Sequence, residues 1–122
     1  MKYGIIGSRK RSDKQNIVDL INSLNTSDVV ISGGCEGPDL WAEEAARAKG
    51  INTKIFLPDL QIDKKSPRYK YKKIDAYYAR NRLIAENSDI IHAFVAPERK
   101  GGTEYTIKYA HKIGIPVIIH NP

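Results

Sequence analysis

Asp28-Val29-Val30-Ile31-Ser32-Gly33-Gly34-Cys35-Glu36-Gly37-Pro38-Asp39 passes from a β-branched run into a glycine-rich turn, then into proline and an acid. The first five residues have the composition of a buried strand. Pro38, an alanine-rich face (Ala42, Ala45, Ala46) and Gly50 just past the end predict a helix over 38–49. A strand that stops at glycine and restarts as a helix is a βα turn. Glycine there lets backbone approach a ligand, and the helix N-terminus offers free N–H groups and a partial positive charge. Gly7-Ser8-Arg9 and Gly101-Gly102-Thr103 have the same form. Three such turns on one parallel sheet converge on one edge, where open α/β sheets bind ligands. An anion site follows, with a nucleotide phosphate as the expected occupant.

Outward from these turns, apolar runs at 3–7, 28–32, 51–57, 89–95 and 117–120 read as strands. Helices are expected over 12–24, 38–49, 74–87 and 103–113. Ser12 and Gln15 form a capping box for the first, and Thr103 is the natural N-cap of the last. Residues 58–73 show no period and read as a loop. The β-α-β-α-β-loop-α-β-α-β order predicts an α/β fold, a Rossmann-like three-layer domain with a mainly parallel five-stranded sheet.

At 122 residues the chain is expected to be one domain. One cysteine, Cys35, excludes an internal disulfide, and no apolar run is long enough for a membrane span. No secretory leader is recognisable, so a cytoplasmic protein without membrane contact is expected. Net charge is +6, of which residues 59–73 alone supply +4 through Lys64, Lys65, Arg68, Lys70, Lys72 and Lys73. That is one basic segment on a near-neutral domain, pointing to a local anionic contact.

Gly7-Ser8-Arg9 supplies a close-approach glycine, a hydroxyl and a guanidinium that can grip phosphate bidentately. Lys10-Arg11-Ser12 lacks the further glycines of a dinucleotide fingerprint, so NAD or FAD is not expected. Gly33 and Gly34 can present consecutive N–H groups. Asp39 either caps its helix or accepts from a ribose hydroxyl. Glu36 is a solvated turn residue or a general base. Asn81 falls on the stripe of Ile74, Tyr77, Tyr78, Ile84 and Ala85, where a polar group needs a partner; it braces a loop, the site beside Arg80, or both. Gly101, Gly102 and Thr103 form an anion nest, and Glu104 either suits the helix dipole or polarises a ribose. Tyr69 and Tyr71 alternate with cations, the pattern of a base lid or a single-strand contact, or of a solvated loop. His92, His111 and His120 have no metal-ligand spacing with Cys35, and no metal or other cofactor is expected.

These stretches, with Arg80-Asn81-Arg82-Leu83-Ile84-Ala85-Glu86-Asn87-Ser88-Asp89 before the fourth strand and Lys100-Gly101-Gly102-Thr103-Glu104-Tyr105 before the last helix, resemble the SLOG superfamily. Its members include DprA/Smf DNA-processing proteins, LOG-type phosphoribohydrolases and small YspA-like proteins. The short length is most similar to the YspA-like group, and Arg80–Ala85 to DprA. The resemblance implies a nucleotide or nucleotide-derived ligand, with Ser8, Arg9, Gly33, Gly34, Gly101, Gly102 and Thr103 contacting phosphate or ribose. Arg80 matches the catalytic arginine of LOG enzymes. Their catalytic glutamate has no counterpart, since Thr106 stands three residues after Thr103. Two readings follow. One is a nucleotide-binding protein, with weak N-glycosidic hydrolysis through Arg80 and either Glu36 or Glu104. The alternative is a DprA-like single-stranded DNA binder using Tyr69, Lys70, Tyr71 and Lys72. Homo-oligomers are expected with either.

Overall fold

A computed structural model describes all 122 residues. The elements are β1 (Lys2–Gly7), α1 (Lys14–Asn22), β2 (Val29–Ser32), α2 (Pro38–Lys49), β3 (Asn52–Ile55), α3 (Tyr69–Glu86), β4 (Ile90–Phe94), α4 (Gly102–Lys112) and β5 (Val117–His120). The strands form one sheet in the order β3-β2-β1-β4-β5, and every pairing is parallel. β1 is central, pairing Gly4 with Ile31 of β2 and with Ile91 of β4.

Alternation along each strand divides the apolar residues between two cores. Ile5, Val30 and Phe94 pack with Ile17, Ile21, Ala42 and Ala46 of α1 and α2. Ile6, Ile31, Ala93 and Val95 pack with Ile84, Ala85, Ile107 and Ala110 of α3 and α4. Burying each isoleucine contributes about 2 kcal/mol, so both faces hold the layers together. The chain thus runs β1-α1-β2-α2-β3 on one side and α3-β4-α4-β5 on the other. The order reverses between β1 and β4, and a crevice opens there at the strands' carboxyl ends.

Three local expectations are corrected. α1 begins at Lys14, and no Ser12–Gln15 capping box forms. Arg11, itself buried, holds both Asp13 oxygens and donates to the carbonyls of Val95 and His120, pinning the β1–α1 loop to the sheet. Asp13 also accepts from Asn16 Nδ2 at 2.8 Å, leaving Ser12 exposed. The guanidinium beside Asp13 holds its carboxyl well below the usual carboxylate range. α3 begins at Tyr69, so the last five residues of the expected loop are helical. At the start of α4 the N-cap position is Gly101, with Thr103 already inside the helix and no side-chain cap.

Gly7 shows why the turn after β1 is glycine. A Cβ there would lie 2.7 Å from Pro38 Cγ and 3.0 Å from Phe94 Cβ, between a rigid ring and the sheet. Gly7→Ala is expected to cost about 2 kcal/mol through this overpacking, read as a lower urea midpoint at unchanged m.

Candidate functional site

The crevice at the β1/β4 switch is a cleft of about 390 Å³. Its floor is the end of β1 (Ile6, Gly7) with Ser8 and Arg9. One wall comes from the β2–α2 turn and the first turn of α2 (Cys35, Asp39), and another from α3 (Ile74, Tyr77, Tyr78, Arg80, Asn81, Ile84). Lys100 and the first turns of α4 (Gly102, Thr103, Thr106) complete it. Arg9, Arg80 and Lys100 face a single acid, Asp39, so the lining is net positive.

Arg80 is 6% exposed and fixed from three directions. Its Nη1 donates to Gly33 O at 2.6 Å, its Nε to Asn81 Oδ1 at 2.8 Å, and its Nη2 to Cys35 Sγ at 3.3 Å. The guanidinium carbon also lies 5.6 Å from the centre of the Tyr77 ring. Gly33 is the seat of this arrangement. Its N–H donates to Asp39 Oδ2 at 3.1 Å, and its carbonyl takes Arg80. A Cβ on Gly33 would lie 2.5 Å from Arg80 Nη1 and 3.0 Å from Asp39 Oδ2, so any side chain there displaces the guanidinium and the carboxyl from their places.

Asp39 is buried in the first turn of α2 and accepts a second bond, at 3.4 Å, from Cys35 N. Its carboxyl serves the preceding turn, not its own helix, whose N-cap has no side-chain bond. Burial pushes its pKa up to about 7, against the lowering effects of the Cys35 and Gly33 N–H groups and the Arg80 charge. Beside it, Ser32 donates to the buried carboxyl of Glu43.

Gly7, Ser8, Arg9, Asp39, Arg80, Asn81, Gly102 and Thr103, all read from the sequence, meet in this cleft. Gly33, Gly34 and Gly101 are not part of its lining. Gly33 supports it from behind, while Gly34 faces Leu57, whose Cδ2 would lie 2.8 Å from an added Cβ. Glu36 is exposed and outside the cleft. Glu104 accepts from Arg99 Nε at 2.9 Å and is likewise outside it. Thr106 lines the cleft but donates its hydroxyl to Gly102 O at 2.9 Å.

Tyr77 and Tyr78 went unread as site residues. Adjacent residues on a helix point about 100° apart, so two consecutive tyrosines cannot both face one core stripe. That was the available signal. Tyr78 stacks on Tyr105 of α4, with ring centres 4.1 Å apart and planes at 11°. Tyr105 in turn accepts from Arg82 Nη1 at 2.8 Å. The α3 wall of the cleft is thus aromatic and braced from α4.

No family model matches the chain, and no curated protein does. Among solved structures, DNA processing protein A (DprA) from Streptococcus pneumoniae superposes with a TM-score of 0.77 over 97% of this chain, at 23% identity. The fold is shared with DprA. This chain spans 49% of the DprA chain, about half its length. The protein TM1055 is similar at a TM-score of 0.66 and 20% identity, covering 96% of this chain and 72% of that one. The C-terminal domain of the PF1911 hydrogenase from Pyrococcus furiosus gives 0.51 at 12% identity, covering 97% and 89%. At these identities the likeness to DprA and the others establishes the architecture and no more.

Proposed function

We propose that this chain is a nucleotide-binding domain of the SLOG type, holding a nucleoside phosphate in the β1/β4 cleft. The observation that carries this reading is the joining of an anion-binding end to an aromatic wall in one cavity of about 390 Å³. Arg9, Lys100 and the uncapped N-terminus of α4 supply charge and N–H donors for phosphate. Tyr77 and Tyr78 supply a face for a base, and the Asp39 carboxyl an acceptor for a sugar hydroxyl. The fold shared with DprA and TM1055 supports the superfamily assignment.

Thermal shift and calorimetry with AMP, IMP, dCMP and ADP-ribose test the reading, because a ligand selective for the native state raises its stability. Arg9→Ala and Gly102→Val are expected to weaken mononucleotide binding at least tenfold each. The first removes a phosphate contact, and the second brings a side chain toward Asn81 Nδ2, 3.4 Å from the added Cβ. Unchanged binding in both variants contradicts the reading.

One observation favours single-stranded DNA as a second reading. Lys70, Lys72 and Lys73 lie exposed in the first turns of α3, with no acid in the first turn and no ion pair of their own. Cations there oppose the helix dipole, a cost that a bound polyanion offsets. Tyr71, 63% exposed beside them, offers a stacking face. This reading predicts oligonucleotide affinity that falls steeply with salt and is lost when Tyr69, Lys70, Tyr71 and Lys72 are replaced together.

A further inference from the structure

Asn81 is 9% exposed, and it lines the cleft. Its Oδ1 accepts from Arg80 Nε at 2.8 Å. A guanidinium N–H only donates, so the atom facing it is the amide oxygen, and the NH2 group is directed away. Nδ2 donates to no acceptor of the protein. Every fully buried side-chain nitrogen and oxygen of the chain has a hydrogen-bond partner, so an amide nitrogen without one opens to solvent. It opens beside α4, because a Cβ on Gly102, itself in the cleft lining, would lie 3.4 Å from Nδ2.

The groups at that end of the cleft are donors. α4 begins at Gly102 behind Gly101 and has no side-chain cap, so the N–H groups of Gly102, Thr103 and Glu104 lack an intrahelical partner. Lys100 is in the lining and forms no ion pair. The acid of that first turn, Glu104, is held by Arg99 outside the lining. The other acid, Asp39, is tied to the N–H groups of Gly33 and Cys35 on the α2 side.

Resting on the nucleotide reading, we infer that Asn81 is a specificity-determining residue of this cleft, donating from Nδ2 to a phosphoryl oxygen at the N-terminus of α4. Arg80 fixes the amide in the orientation that makes it a donor. Neighbouring residues of a helix point about 100° apart, which lets the pair connect two turns: Arg80 grips Gly33 O, and Asn81 reaches α4. An ionised phosphoryl group only accepts, so it suits an end furnished with backbone N–H groups, an ammonium and an amide NH2. A protonated amine finds no acceptor there.

Asn81→Asp separates this role from simple bracing of Arg80. The carboxylate keeps the acceptor for Arg80 Nε and adds charge to that bond, so the urea midpoint is expected to equal or exceed wild type. The donor toward α4 is lost, and AMP affinity by calorimetry is expected to fall by about 30-fold or more, the scale of a hydrogen bond to a charged group. In the wild type, the side-chain amide NMR signals of Asn81 are expected to move with AMP and with inorganic phosphate, and to stay in place with adenosine. AMP binding of wild-type strength by folded Asn81→Asp overturns the inference and leaves Asn81 as a brace. Amide signals that stay in place while AMP binds also overturn it, since the loss in Asn81→Asp is then repulsion by the added charge. That measurement needs no variant and decides the matter if Asn81→Asp does not fold. Equal movement with adenosine assigns the amide to sugar or base and overturns the inference as well. Movement with inorganic phosphate, without binding of AMP, IMP or dCMP, supports the phosphoryl contact and defeats the nucleotide reading. No response to any of these probes defeats both.

Discussion

Arg80→Ala is expected to destabilise the protein by about 3 kcal/mol, roughly one for each of its three hydrogen bonds, and to abolish mononucleotide binding. Truncation leaves Gly33 O and Asn81 Oδ1 without their donor and removes the positive charge beside Asp39. Gly33 O lies buried behind the cleft, where water does not readily replace the lost partner, whereas Asn81 lines the cleft itself. Arg80→Lys is expected to recover less than half of the loss. One ammonium cannot reproduce a planar fork that reaches a carbonyl, an amide and a thiol in three directions. Urea denaturation of the three proteins measures this directly. An Arg80→Ala midpoint equal to wild type would mean that the guanidinium is decorative. The same experiment in an Asp39→Asn background gives the coupling between the two groups, which is expected to be nonzero because they share Gly33.

The architecture was legible because each strand is a short β-branched run closed by a turn residue, and each inter-strand gap has room for one helix. Pro38 and Gly50 marked both ends of α2 because their backbone requirements are local. The start of α3 was not legible for the opposite reason. Tyr69-Lys70-Tyr71-Lys72-Lys73 buries almost nothing, so hydrophobic period carries no trace of its helix. The caps expected at Ser12 and Thr103 do not form because the helices start elsewhere: Asp13 takes the N-cap position of α1 and Gly101 that of α4, which leaves Ser12 outside its helix and Thr103 inside.

The site divides the same way. Glycine turns are sequence-local signals, and Gly7, Ser8, Arg9, Gly102 and Thr103 do converge. Which acid faces the cleft depends on how α2 and α4 are rotated against the sheet, and no spacing rule distinguishes Asp39 from Glu36 or Glu104. Ile74, Tyr77 and Tyr78 were assigned with Ile84 and Ala85 to one stripe, but only the latter two enter the core cluster. The first three, one turn or more toward the N-terminus, extend past the sheet edge and become a cavity wall.

Asp39→Asn is expected to be more stable than the wild type at pH 8 and equal to it near pH 4. The folded-state pKa of Asp39, about 7, lies above the ordinary 3.8. Between those values the folded protein holds a proton that the unfolded chain has released. Stability from this group is therefore fully present below about pH 4, declines as pH rises, and is gone above about pH 7. The difference corresponds to about 4 kcal/mol, or on the order of 10 °C in Tm for a domain of this size. His92 slopes the other way. Burial, with the neighbouring His120, lowers its pKa from 6.5 to about 4, so its contribution is present above pH 6.5 and lost as pH falls toward 4. Both proteins carry His92, so its slope cancels in their difference, and the interval from about pH 4 to 7 is the informative one. There the Tm advantage of Asp39→Asn over wild type is expected to grow from near zero to its full value, as scanning calorimetry at half-unit pH steps would record. Parallel curves for the two proteins would mean that Asp39 is ionised throughout and fully compensated by Arg80. A carboxyl that costs the folded state this much at neutral pH, in a place where asparagine keeps both backbone contacts, is best understood through the cleft it faces.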